Sequence, residues 1–152
     1  MRRILVPLDG SAFAEEALPA AVALARRQQA TLELFLVNEA RTGGGLERWP
    51  WAISTAGSHA DYVAEQARRI GENTGHPVEH AVAKGRPAEE ICRHAAASHA
   101  DLIVMASRGY TGMTRMLGGS VADAVVRHAG VPVLLVRMRA ARRRQRATPL
   151  RV

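Results

Sequence analysis

The residues of this chain best suited to chemistry stand close together: Gly109, Gly112, Gly118 and Gly119, followed at once by Ser120. They come directly after an apolar run, Leu102-Ile103-Val104-Met105-Ala106. Glycine has no Cβ, so an anion can approach the main chain, and the unpaired N–H groups opening a following helix point at that anion. A strand, a glycine-rich loop and a helix start in this order predict a phosphate cradle. A second candidate is Asp9, which ends another apolar run in Pro7-Leu8-Asp9-Gly10-Ser11. Its carboxylate can accept from a sugar hydroxyl or a base edge, and can equally cap the helix that follows.

Other chemistries are less well provided for. The sequence has no G-x-x-x-x-G-K-[ST] loop and no G-x-G-x-x-G fingerprint, and Lys84, its only lysine, lies outside the glycine loop. His76 and His80 straddle Pro77, while His94 and His99 are five apart, the wrong spacing for joint metal ligation on a helix. No metal site is expected. Cys92, the single cysteine, cannot form an internal disulfide and reads as a buried, inert thiol on an apolar helix face. No catalytic residue is assigned, and at most slow hydrolysis of a bound nucleotide is expected.

The net charge of +7 is concentrated at one end. Residues 139–152 hold six arginines and no acid, whereas the preceding 138 residues carry fifteen bases against fourteen acids. The expected organisation is a nearly neutral domain over 1–138 and a basic, disordered tail over 139–152. No aromatic residue interleaves with those arginines to stack bases, so nucleic acid is not the expected partner. Arg2-Arg3-Ile4-Leu5-Val6 is stopped by Pro7-Leu8-Asp9, well short of a signal-peptide core, and no long apolar span follows. A cytoplasmic location is the expectation.

The elements that must position the candidate residues alternate in kind. Strand-like runs at 3–8, 31–37, 78–82, 101–106 and 132–137 are separated by helix-like segments at about 12–27, 59–73, 87–99 and 120–128. Pro19 inside the first helix predicts a bend, or a place near its first turns, rather than a break. The strand from Thr31 alternates at first and then turns continuously apolar, as burial on both faces requires. Between Asn38 and Gly57 periodicity is lost, and Gly43-Gly44-Gly45 and Trp49-Pro50-Trp51 mark an irregular excursion that suits a lid, a partner surface or disorder. Gly130 predicts a left-handed stop for the last helix, and Pro132 at the head of the last strand predicts a sheet edge. The β-α alternation implies an α/β fold: a five-stranded parallel sheet between two helical layers, a three-layer sandwich.

Taken together, Ile4-Leu-Val-Pro-Leu-Asp-Gly-Ser11, Gly85-Arg-Pro-Ala-Glu-Glu-Ile91, Asp101-Leu-Ile-Val-Met-Ala-Ser-Arg-Gly109, Gly118-Gly-Ser-Val-Ala-Asp123 and Val131-Pro-Val-Leu-Leu-Val136 resemble the universal stress protein family over residues 2–137. The resemblance implies a Rossmann-like sheet of order 3-2-1-4-5 and a homodimer formed through the edge strand Pro132–Arg137. Its ATP-binding members carry a glycine, two residues, a second glycine, nine residues, and then glycine with serine or threonine. Here Gly109 and Gly119-Ser120 fit that spacing, and Ala106 stands at the first glycine. The resemblance further implies a nucleotide site in which Pro7, Leu8 and Val37 line the base, Asp9 meets ribose or adenine, and Gly109, Gly119, Ser120 and Val121 present main-chain N–H groups to phosphates. Arg108 is a candidate phosphate partner, and Mg²⁺ a companion of the phosphates. Two functions follow: an ATP-binding regulatory module of the stress response, or a nucleotide-free dimeric interaction protein of the same fold.

Overall fold

The computed structural model describes residues 2–39, 59–107 and 121–137. In chain order the elements are β1 (Arg3–Leu8), α1 (Ala12–Glu15), α2 (Leu18–Gln28), β2 (Thr31–Glu39), α3 (His59–Thr74), β3 (Val78–Gly85), α4 (Pro87–Ala97), β4 (Leu102–Ser107), α5 (Val121–His128) and β5 (Val133–Arg137). The strands form one parallel sheet of order β3-β2-β1-β4-β5, as the resemblance implied. Chain direction reverses its spread between β1 and β4, which are direct neighbours.

Alternation of side chains along the strands builds two apolar layers. Val6, Leu8, Leu34, Leu36 and Val104 point to the layer shared with Ala17, Ala21 and Ala25 of the first helical segment and Val63 and Ala67 of α3. Leu5, Phe35, Ile103 and Met105 point to the other, shared with Ile91 and Ala95 of α4 and Val125 of α5. Small alanines let the helices approach the sheet closely, and the branched strand residues supply most of the buried area, each fully buried one contributing about 1.5–3 kcal/mol.

Three departures from the sequence reading have local causes. The first helix is two helices, interrupted at Glu16 and Ala17. Pro19 has no N–H to offer the Glu15 carbonyl and its ring crowds that group, so it sits instead in the first turn of α2, where no donor is needed. The strand expected to end at Val37 runs on to Glu39, and β3 runs on from Val82 to Gly85, because the two pair throughout, Asn38 with Lys84 and Glu39 with Gly85. Gly130 takes no left-handed conformation, whereas Gln29 (φ 50) and Gly75 (φ 64) do, ending α2 and α3. Pro132 precedes β5 at the sheet edge and its carbonyl still accepts from Ile103 N at 3.0 Å. The rest of the irregular excursion, with both tryptophans, and the tail over 139–152 lie outside the described residues.

Candidate functional site

In an open parallel sheet the crevice for a ligand opens beyond the carboxyl ends of two strands whose connections leave in opposite directions. Here those strands are β1 and β4, and the residues that leave them are Asp9 and the segment beginning at Arg108. Asp9 is exposed. Its Oδ1 accepts from Ser11 N at 2.8 Å and from the Ser11 hydroxyl. Ser11 Oγ in turn accepts from Ala14 N at 3.1 Å, capping α1. Gly10 makes the turn between them at φ 82, a region side chains rarely adopt. The carboxylate thus serves the cap through Ser11 while remaining at the open rim.

The other expected residues divide into three groups. Pro7 and Leu8 are buried near the end of β1, and Val37 is half-buried against the layer under Phe35. Ala106 is buried opposite Val136, its methyl part of the layer that holds Leu8 and Ala14. Leu8 and Ala106 therefore turn their side chains into the core and would meet a ligand through main chain alone. Val121 opens α5 and is 40% exposed. Arg108, Gly109, Gly119 and Ser120 lie outside the described residues.

Sequence reasoning missed Tyr62 and Glu15. The half-buried phenol of Tyr62, in the first turn of α3, donates to Glu15 Oε1 at 2.6 Å. Burial first, then Glu15, and finally the charge of Asp9, push the phenol well above the usual tyrosine range. A tyrosine among alanines reads in sequence as core, and nothing in its spacing announces a carboxylate partner 47 residues away.

A second polar cluster lies at the amino ends of the strands. Arg3 reaches Glu33 at 2.9 Å and Glu79 at 2.6 Å, and His94 Nε2 donates to Glu33 Oε1 at 2.9 Å. His76 Nε2 lies 2.7 Å from the Ala30 carbonyl, a structural tie between the α3–β3 turn and the start of β2. Two open hollows, of about 550 and 420 Å³, sit near Gly75, His76 and Pro77, on this same rim. Neither touches Asp9, so the crevice at the carboxyl ends is identified by topology and not by depth. Among the described residues no three His, Cys, Asp or Glu side chains converge as a metal site, and no helix is long and apolar enough to cross a membrane.

A sheet of this order, with helices on both faces and its opening between β1 and β4, defines a doubly wound, Rossmann-like α/β protein. The model of the universal stress protein family matches residues 1–137, and the chain belongs to that family. It is 31% identical over 139 residues to universal stress protein MJ0531 of Methanocaldococcus jannaschii, covering 90% of this chain and 82% of that one. It is 33% identical to universal stress protein YxiE of Bacillus subtilis, covering 89% and 98%. Among solved structures, a universal stress protein in complex with cAMP superposes with a TM-score of 0.68 at 23% identity, covering 90% of this chain and 96% of that one. At that identity the likeness is one of fold.

Proposed function

We propose that this universal stress protein is an ATP-binding regulatory module whose nucleotide lies across the carboxyl ends of β1 and β4. The observation that carries the reading is the adjacency of those two strands, which brings Asp9 and the origin of the glycine-rich segment to one rim. The residues present fit the group. Asp9 is an exposed acceptor suited to a ribose hydroxyl or the adenine edge, and Pro7 and Val37 supply apolar surface beside it. Main-chain N–H groups of Gly109, Gly119, Ser120 and Val121 hold the phosphates, with Arg108 as a pairing cation. Mg²⁺ would accompany the nucleotide, held by its phosphates. The reading is supported by a universal stress protein of like fold whose structure is a complex with cAMP.

The same reading makes the protein a homodimer through β5, with residues 1–138 as the domain and 139–152 as a basic tail. Leu134 and Leu135 are 39% and 41% exposed on that edge strand, which supports a second copy as its partner.

Titration calorimetry of the full chain with ATP tests the nucleotide claim. Binding by the wild type and its loss in Gly119→Glu, with the melting temperature preserved, are the expected results. Asp9→Ala is expected to weaken ATP binding by more than it lowers the melting temperature of the apo protein. Equal ATP affinity in wild type and Gly119→Glu, or no binding by either, overturns the reading.

A further inference from the structure

We propose that Ser11 is a positioning residue of the nucleotide crevice: its amide and hydroxyl hold one oxygen of the Asp9 carboxylate and leave the other presented to the ligand. The inference rests on the nucleotide reading above and gives Ser11 a role that reading leaves open.

The geometry lies wholly between Leu8 and Ala14. β1 ends at Leu8, and Asp9 follows it at the exposed rim. Among the described residues Asp9 accepts two hydrogen bonds with its side chain, from the Ser11 main-chain N–H at 2.8 Å and from the Ser11 hydroxyl. Both end on Oδ1, and within the same residues nothing donates to Oδ2. A hydroxyl has one proton to give. Ala14 N donates to Ser11 Oγ at 3.1 Å, so that oxygen accepts from α1 and its proton goes to Asp9. Gly10, at φ 82, makes the turn that brings residues 9 and 11 together.

The anchor of this relay does not move freely. Ala14 is buried in the layer that also holds Leu8 and Ala106, which ties the start of α1 to the sheet, and α1 fixes Ser11. Ser11 then fixes Oδ1. An unrestrained aspartate at an exposed rim rotates about its side-chain bonds and loses that freedom when a ligand takes it. Ordering one such side chain on binding weakens affinity by about two- to tenfold. Ser11 orders it before the ligand arrives, and alanine or glycine in its place has no hydroxyl with which to do so.

Calorimetry with ATP and thermal melts on the full-length wild type, Ser11→Ala, Ser11→Gly, Ser11→Thr, Asp9→Ala and the double variant Asp9→Ala with Ser11→Ala test this. Ser11→Ala is expected to weaken ATP binding by about fivefold. Ser11→Thr keeps a hydroxyl for the same two partners and is expected to bind like the wild type. Glycine caps a helix nearly as well as serine, so Ser11→Gly is expected to melt close to the wild type yet bind as weakly as Ser11→Ala. With Asp9 already removed, Ser11→Ala is expected to cause no further loss. Wild-type affinity in Ser11→Ala, or a Ser11→Thr variant as weak as Ser11→Ala, overturns the proposal. Wild-type affinity in Ser11→Gly overturns it by reducing Ser11 to a cap. An undiminished loss in the Asp9→Ala background overturns it in favour of simple loosening of α1. Ser11→Gly and Ser11→Thr decide the matter if Ser11→Ala does not fold or if Asp9→Ala binds too weakly to measure. A wild type that binds no ATP overturns the nucleotide reading and this inference with it, whereas a binding wild type with any of the contrary patterns overturns this inference alone. An Asp9→Ala variant of wild-type affinity overturns this inference and the role of Asp9 together, and leaves ATP binding itself standing.

Discussion

His94 lies flat on Phe35, ring centroids 4.1 Å apart and planes 9° from parallel, and from there its Nε2 donates to the buried carboxylate of Glu33 at 2.9 Å. Glu33 is 5% exposed in the second strand of the sheet. Its other oxygen accepts from Arg3 at 2.9 Å, and Arg3 also binds Glu79, which is half-exposed. Hydrogen bonds from Arg3 to Glu79 and then to Glu33 hold the guanidinium firmly charged. The buried acid thus ties β1, β2 and α4 together at the amino ends of the strands, and Arg3 extends the tie to β3 through Glu79.

Removing the partly buried Arg3 strands the buried Glu33 with His94 as its remaining side-chain partner among the described residues, so Arg3→Met is expected to cost about 2 kcal/mol. Replacing both, as Arg3→Met with Glu33→Leu, removes the stranded charge and recovers most of that loss. Urea unfolding monitored by circular dichroism measures both. A single variant with the wild-type midpoint would show that the cluster is solvated in solution.

Gly85 closes β3 at φ +155, and a Cβ built there would stand 2.7 Å from Glu90 Oε1 and 2.9 Å from Glu90 Cγ. The Glu90 side chain, only 15% exposed and paired with Arg93, folds back over that glycine. Gly85→Ala is therefore expected to destabilise the domain by about 1–2 kcal/mol. In a Glu90→Ala background the collision is gone but the backbone strain remains, so the penalty should shrink without vanishing. Thermal melts of the four proteins check this; an undiminished penalty would place the whole effect in the backbone.

Cys92 is partly buried against the layer under Phe35, and burial pushes its thiol up from the ordinary value. The thiolate is the reactive form, so a raised thiol is slow to react at neutral pH. Labelling with a disulfide reagent is expected to be slow in buffer, to quicken above pH 9, and to become rapid in denaturing urea. Fast labelling of the native protein at pH 7 would contradict the assignment of an inert cysteine.

The strands and helices were legible in the sequence because two periodicities alternate cleanly, and the order of strands followed from the family resemblance, which the observed sheet bears out. What escaped depends on tertiary partners. Glu33 sits in a run that alternates as if half-exposed, yet β2 lies between β1 and β3, and Arg3 and His94 arrive from distant parts of the chain to satisfy it. The interruption at Glu16 and Ala17 was half-legible: Pro19 announced a disturbance, but whether a helix bends or divides depends on which carbonyl the ring meets. Of the candidate site, Asp9 and the neighbouring ends of β1 and β4 could be anticipated, whereas the Tyr62–Glu15 bond spans the β2–α3 connection and leaves no spacing signal.

Leu134 and Leu135 are consecutive in β5, so their side chains leave opposite faces, and both are about two-fifths exposed. Parallel sheets are ordinarily covered on both faces, and an apolar strand left open on both is a template for pairing. Val126 of α5, 47% exposed, adds apolar surface from the neighbouring helix. A two-fold contact uses the same patch on each copy, so one substitution acts twice. Leu135→Glu is expected to convert a dimer into a monomer in sedimentation velocity while leaving the circular dichroism spectrum unchanged. A glutamate on the face away from the contact would not, so Leu134→Glu measured beside it reports which face of β5 carries the interface. A wild type that sediments as a monomer at every accessible concentration removes the dimer from the proposed function and leaves the exposed leucines without a partner.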